Sequence, residues 1–248
     1  SRGLGDVYKR QQLFDGEILH ATGLGTNVPL SKLNGGRPFV LLDACEETPT
    51  VDAVNFPNEE AERAAMQHLI DRGCRNIAIV GHRFAPRADL AHAQNAFALR
   101  LRGACGALSD AGLPYDESMV FEAGDVANGI IAGHAIAERI LAARSGHGGT
   151  EFDGACCAND FAAFGVIRGL ADRGLRVPQD VKVIGFDGVT SGSYTTPALS
   201  TIQVDFTQLA KFSVDMLSER IDHGADEALP PRRAIIGYQL VDRESTAV

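Results

Sequence analysis

Asp187 ends the apolar run "VKVIGF" between Phe186 and Gly188, Asn159 and Asp160 follow "GACCA", and Asp43 follows "FVLL". Carboxylate and amide groups can each engage two hydroxyls. Arg100, in "FALRLRG", adds a planar guanidinium whose donors are held in a rigid fork. Phenylalanines supply aromatic faces. Arg, Asp, Asn and Phe gathered at strand ends are the set that a polyhydroxylated ligand such as a sugar requires. Each residue also has a plainer reading on its own. Asn159 and Asp160 can cap a helix, Asp187 can serve a turn, and Arg100 can be a surface arginine.

Other chemistries lack their residues. No G-x-S-x-G is present, which disfavours an α/β-hydrolase. Gly23, Gly25, Gly35 and Gly36 make no G-x-G-x-x-G opening a helix after a strand, and no G-x-x-x-x-G-K-[ST] occurs, so nucleotide cofactors are disfavoured. No pair of histidines is spaced H-x-x-x-H beside an acid. The five cysteines are odd in number and have no zinc-site spacing, so they read as buried reduced thiols. The expectation is a binding protein, not an enzyme, with no cofactor and no metal.

The elements that position these residues can be read from pattern. "LFDGEILHA", "RPFVLLDA", "NIAIVG", "SMVFEAG", "FDGACCAND", "DVKVIGFDG" and "RRAIIGYQLVDRE" read as strands. "NEEAERAAMQHLIDRG", "AFALRLRGACGALSDAG", "NGIIAGHAIAERILAA", "DFAAFGVIRGLADRG" and "FTQLAKFSVDMLSERIDHG" read as helices. In the first helix Asn58 is a cap, Ala61, Ala65, Met66, Leu69 and Ile70 form the buried stripe, and Gly73 is the stop. The last helix turns Leu209, Phe212, Met216, Leu217 and Ile221 inward. Strand–helix alternation with uniformly apolar strands predicts an α/β fold, with parallel sheets covered by helices on both faces. Ligands then sit outside the carboxyl ends of the strands. The 248 residues allow two small lobes, and 45% hydrophobic with 22% charged residues is a globular composition. A net charge of -9 without a basic stripe argues against broad contact with nucleic acid. No apolar run is long enough to span a bilayer and no leader pattern is seen, which points to a cytoplasmic protein without a membrane partner.

The segments "HLIDRGCRNIAIVG", "RLRGACGALSDAGL", "CCANDFAAFGVIRGLADRGLRVPQDVKVIGFDG", "PALSTIQVDF" and "LVDRESTAV" occur in this order. Together they resemble the ligand-sensing domain of the LacI/GalR family of bacterial transcription regulators, from Leu13 to the C-terminus. The resemblance implies a two-lobed, type I periplasmic-binding-protein-like fold with a sugar or other small effector between the lobes. It also implies a homodimer whose affinity for operator DNA depends on that effector. Arg100 matches the arginine that reaches the effector, and Asn159 and Asp160 match the polar pair of the second lobe. Asp187 matches the carboxylate of G-[FY]-D, and Phe206 matches an aromatic near the hinge. Glu60 falls near a polar contact of the first lobe, although Pro57 stands where the family has aspartate.

Residues 1–11, "SRGLGDVYKRQ", share no pattern with the rest and read as a non-native leader. Lobe one is expected at 12–73 and 206–232, and lobe two at 74–205 and 233–248. The helix-turn-helix headpiece and the first units of lobe one are expected to be absent, so operator contact would lie outside this sequence. A first lobe lacking those units is expected to be the looser of the two. The alternative on the same fold is a periplasmic sugar-binding protein of a transporter.

Overall fold

The computed structural model describes residues 15–21, 37–115, 117–122, 129–145, 152–223 and 229–247. The expected leader at 1–11 and the four glycines at 23–36 lie outside the described residues. The chain divides into two compact units. One runs to Phe56 and resumes at Phe206–Ile236, and the other comprises Pro57–Asp205 and Gly237–Val248.

The first unit holds a four-stranded sheet in the order β1 (Glu17–His20), β2 (Phe39–Leu42), β3 (Asp52–Asn55), β9 (Arg233–Ile235), with every pairing parallel. The helix Phe206–His223, here α5, packs on it. Leu209 and Ser213 are its fully buried residues, and Ser213 is accommodated because its Oγ donates to Leu209 O at 2.7 Å. Phe212, Met216 and Leu217 are half-buried and Ile221 is exposed, so the inward stripe is narrower than the apolar pattern suggests. β3 is held at its start by a charge. Asp52, 2% exposed, accepts two bonds from Arg220 at 2.8 and 2.9 Å, and Arg232 adds its backbone N–H at 2.8 Å. α5 and the segment before β9 are thereby tied to the sheet.

The second unit holds a six-stranded sheet, ordered β10 (Tyr238–Val241), β8 (Ser200–Val204), β7 (Lys182–Asp187), β6 (Gly154–Cys157), β4 (Ile77–Val80), β5 (Val120–Phe121). It is parallel except for β10, which pairs antiparallel with β8. β4 and β6 are buried at every residue, as expected when helices cover both faces. Four helices of more than ten residues belong to this unit among the described residues: α1 (Asn58–Asp71), α2 (Ala96–Asp110), α3 (Gly129–Ser145) and α4 (Asp160–Asp172). α1 buries Ala61, Ala65, Met66, Leu69 and Ile70 as read from the sequence, and also Asn58 and Glu62. Helices α1, α2 and α4 are followed by Gly73, Gly112 and Gly174 at φ +89°, +67° and +76°. In each case the next N–H reaches back to close the final turn: Cys74 to Leu69 O, Leu113 to Leu108 O, and Leu175 to Leu170 O. The α3–α4 pair packs closely because Gly133 and Gly165 bring the backbones together. A methyl group on either would collide with a carbonyl oxygen of the other helix, Ala162 O or Ile130 O.

Two expectations change. The division between units falls at Phe56–Pro57, so α1 belongs to the second unit, where it packs on α2 and the larger sheet. The stretch "RRAIIGYQLVDRE" is two strands, β9 and β10, one in each sheet. The "RES" ending is structural. Arg243 Nη1 donates to Leu199 O at 2.6 Å, Glu244 accepts from Ala198 N at 2.8 Å, and buried Ser245 donates to Val183 O at 2.6 Å. Among the described residues no helix is long and apolar enough to cross a membrane.

Candidate functional site

The carboxyl edge of the larger sheet gathers most of the polar residues singled out by type. Arg100 lies in the first half of α2, only 8% exposed. Its Nε donates to Asn58 Oδ1 at 2.8 Å, its Nη1 donates to Ala158 O at 2.5 Å, and its guanidinium carbon stands 3.7 Å over the Phe186 ring. A buried cation needs such partners. They also fix the plane of the fork, and no bond from Nη2 is made among the described residues. Asn58 is the first residue of α1; the cap position is taken by Pro57, which makes no side-chain cap bond.

Asn159 and Asp160 stand between β6 and α4. Asn159 is half-buried and caps α4, its Oδ1 accepting from Ala162 N at 2.8 Å. Asp160 is fully buried. Its Oδ1 accepts from Thr201 Oγ1 at 2.6 Å and its Oδ2 from Val189 N at 2.7 Å. Burial pushes this carboxyl up to about 6, while the bonds from Thr201, Val189 and Gly188 and the charge of Arg243 pull the other way.

Asp187 closes β7 with φ +110° and Gly188 follows at φ +78°. A left-handed φ at a non-glycine residue costs on the order of 1–3 kcal/mol and persists only where neighbours hold it. Asp43, after β2 in the other unit, has φ +60°. In both sheets, then, a strand gives way to its loop through an aspartate in this conformation.

Two further expected residues make contacts within their own units. Glu60 is exposed on α1 and accepts from Tyr238 Oη at 3.3 Å. Phe206 belongs to the first unit, 49% exposed, its ring edge-on to Phe56 with centroids 6.0 Å apart. Residue typing overlooked Asn58, Phe186 and His82. His82 follows β4 and is 1% exposed, with both ring nitrogens unpartnered among the described residues and Nε2 3.8 Å from Glu62 Oε1. A histidine directly after the strand end at Val80–Gly81 was the available signal for it. Nothing in the sequence pointed to Asn58 as a partner of an arginine 42 residues away.

Residues 66–246 match the periplasmic binding protein-like domain family. A LacI-type transcription regulator from Bifidobacterium animalis subsp. lactis superposes with a TM-score of 0.80 at 30% identity, covering all of this chain and 85% of its own. This chain belongs to the LacI/GalR family. It is the family's effector-binding part, with the periplasmic-binding-protein-like α/β fold. A LacI family regulator from Enterococcus faecium with bound ribose superposes with a TM-score of 0.75 at 26% identity, covering 98% of this chain and 83% of that one. The HTH-type transcriptional repressor PurR of Escherichia coli O1:K1 is 31% identical over 211 residues, which are 85% of this chain. The match spans 56% of that repressor, little more than half its length. Among the described residues no group of His, Cys, Asp and Glu is placed to hold a metal ion.

Proposed function

We propose that this chain is the sugar-sensing part of a homodimeric LacI-type regulator and that effector binding sets the affinity of the whole protein for operator DNA. The observation that carries the reading is the buried guanidinium of Arg100, held in a fixed plane over Phe186 at the carboxyl edge of the parallel sheet. Asp187, left-handed, follows that same phenylalanine. A planar fork beside a carboxylate suits vicinal hydroxyls, each group engaging two oxygens in charge-assisted bonds. Asn159 extends the polar edge, and Phe206 and Glu60 are assigned to the effector's surroundings on the strength of the family resemblance. The ribose bound by the Enterococcus faecium regulator supports a sugar as the ligand class. Contact with operator DNA is assigned to a segment outside this chain, in keeping with the net charge of -9.

Calorimetric titration of the 248-residue chain with ribose and a panel of mono- and disaccharides tests the reading. One sugar should bind. Arg100→Ala and Asp187→Ala should each weaken it by roughly 1.5–3 kcal/mol, or about ten- to 150-fold. Unchanged affinity in both variants removes the assignment.

A further inference from the structure

The Asp160 carboxylate is buried between three elements. It starts α4, takes the hydroxyl of Thr201 from β8 at 2.6 Å, and takes the Val189 N–H from the turn after β7 at 2.7 Å. The fit is close enough that a methyl group at Gly185 in β7 would collide with Asp160 Oδ1. The turn is constrained from the other side as well. A methyl group at Gly188 would stand 2.6 Å from Gln203, the residue that pairs with Asp187 across β7 and β8. Between these constraints lies Asp187, in a conformation that a non-glycine residue holds only when its neighbours impose it.

We propose that Asp160 is a positioning residue: it latches the Gly188–Val189 turn to β8 and so holds Asp187 at the carboxyl edge of the sheet, without itself touching the effector. The link to the effector rests on the sugar-sensing reading above, whereas the latch rests on this geometry alone. With no exposure and both oxygens already accepting, Asp160 presents no surface to a ligand. Burial raises this carboxyl to about 6. The groups that bear on it are Arg243 from the C-terminal turn and Cys157 from β6, besides the neutral donors Thr201, Gly188 and Val189.

Amide hydrogen exchange, resolved by NMR on the whole ligand-free chain, tests the latch without any sugar. In D160N the Val189 amide should exchange at least about tenfold faster than in the wild type, the range expected on losing a charge-assisted bond. The Ile184 amide, within β7, should stay within about twofold. Equal Val189 exchange in D160N and wild type overturns the proposal. So does a uniform acceleration through the sheet, which would mark Asp160 as merely a core residue. If no panel sugar binds the wild type while Val189 behaves as described, the sugar reading fails and the latch stands.

Discussion

The guanidinium of Arg100 lies 3.7 Å over the ring of Phe186, so the residue before Asp187 is the floor on which the arginine rests. Stacking and hydrogen bonding are made together by the planar fork, a geometry that a lysine ammonium does not have. A double-mutant cycle on R100K and F186L, measured by urea unfolding, should give a coupling energy of about 0.5–2 kcal/mol. A coupling of zero would mean that the stacking contributes nothing to stability.

Asp52 is the electrostatic anchor of the first unit. Its burial would raise its pKa, but the bonds from Arg220 and Arg232 win and hold it below the usual value of 3.8. A depressed carboxyl contributes stability above its unfolded pKa and loses it as pH falls through the folded one. Acid below about pH 4 should therefore loosen β3 and α5 selectively. D52N should cost roughly 3–5 kcal/mol at neutral pH, since it leaves the two arginines without their common partner. Hydrogen exchange at Ala53 and Val54 reads both effects, and unaltered protection there in D52N would contradict the anchor.

Asp160 has the opposite sign. Its folded pKa is raised to about 6, so its contribution is complete below the unfolded value near 3.8 and is lost as pH rises through about 6. Between pH 4 and pH 7 this group should remove roughly 3 kcal/mol, at 1.36 kcal/mol per pKa unit. Urea midpoints across that range should fall more steeply for the wild type than for D160N. Parallel curves would show that Asp160 titrates alike in the folded and unfolded chain.

Glu62 and His82 are a buried pair that does not close. They stand 3.8 Å apart, and Glu62 Oε2 and both His82 nitrogens are unpartnered among the described residues. Cys156 Sγ, 3.3 Å from Glu62 Oε1, is a weak donor. An unsatisfied buried polar group costs about 1–3 kcal/mol, so E62M/H82F should be more stable than the wild type by an amount in that range. H82F alone should be destabilising, because it isolates the carboxylate. Thermal and urea unfolding of the single and double variants check both signs. A double variant less stable than either single one would mean that the pair is satisfied.

Pattern carried much of this fold. The stripe of α1, the glycines that stop α1, α2 and α4, and the buried runs of β4, β6 and β7 are local properties, set by side-chain periodicity and by the backbone freedom of glycine, and so they are visible in a single chain. The same logic brought Asn159, Asp160 and Asp187 to notice, since polar residues that follow buried parallel strands are few.

What the sequence did not disclose depends on partners distant along the chain. β3 begins with a charged residue that pattern alone would not bury. It becomes a strand because Arg220 and Arg232 arrive from 168 and 180 residues away to neutralise Asp52. "RRAIIGYQLVDRE" reads as one strand because hydropathy does not record which sheet a residue joins. Asn159 and Asp160 look alike as a polar pair, yet one side chain caps the helix it precedes and the other is buried against Thr201 and Val189. Residue type sets which bonds a side chain can make, and only the packed structure decides which of them are already taken.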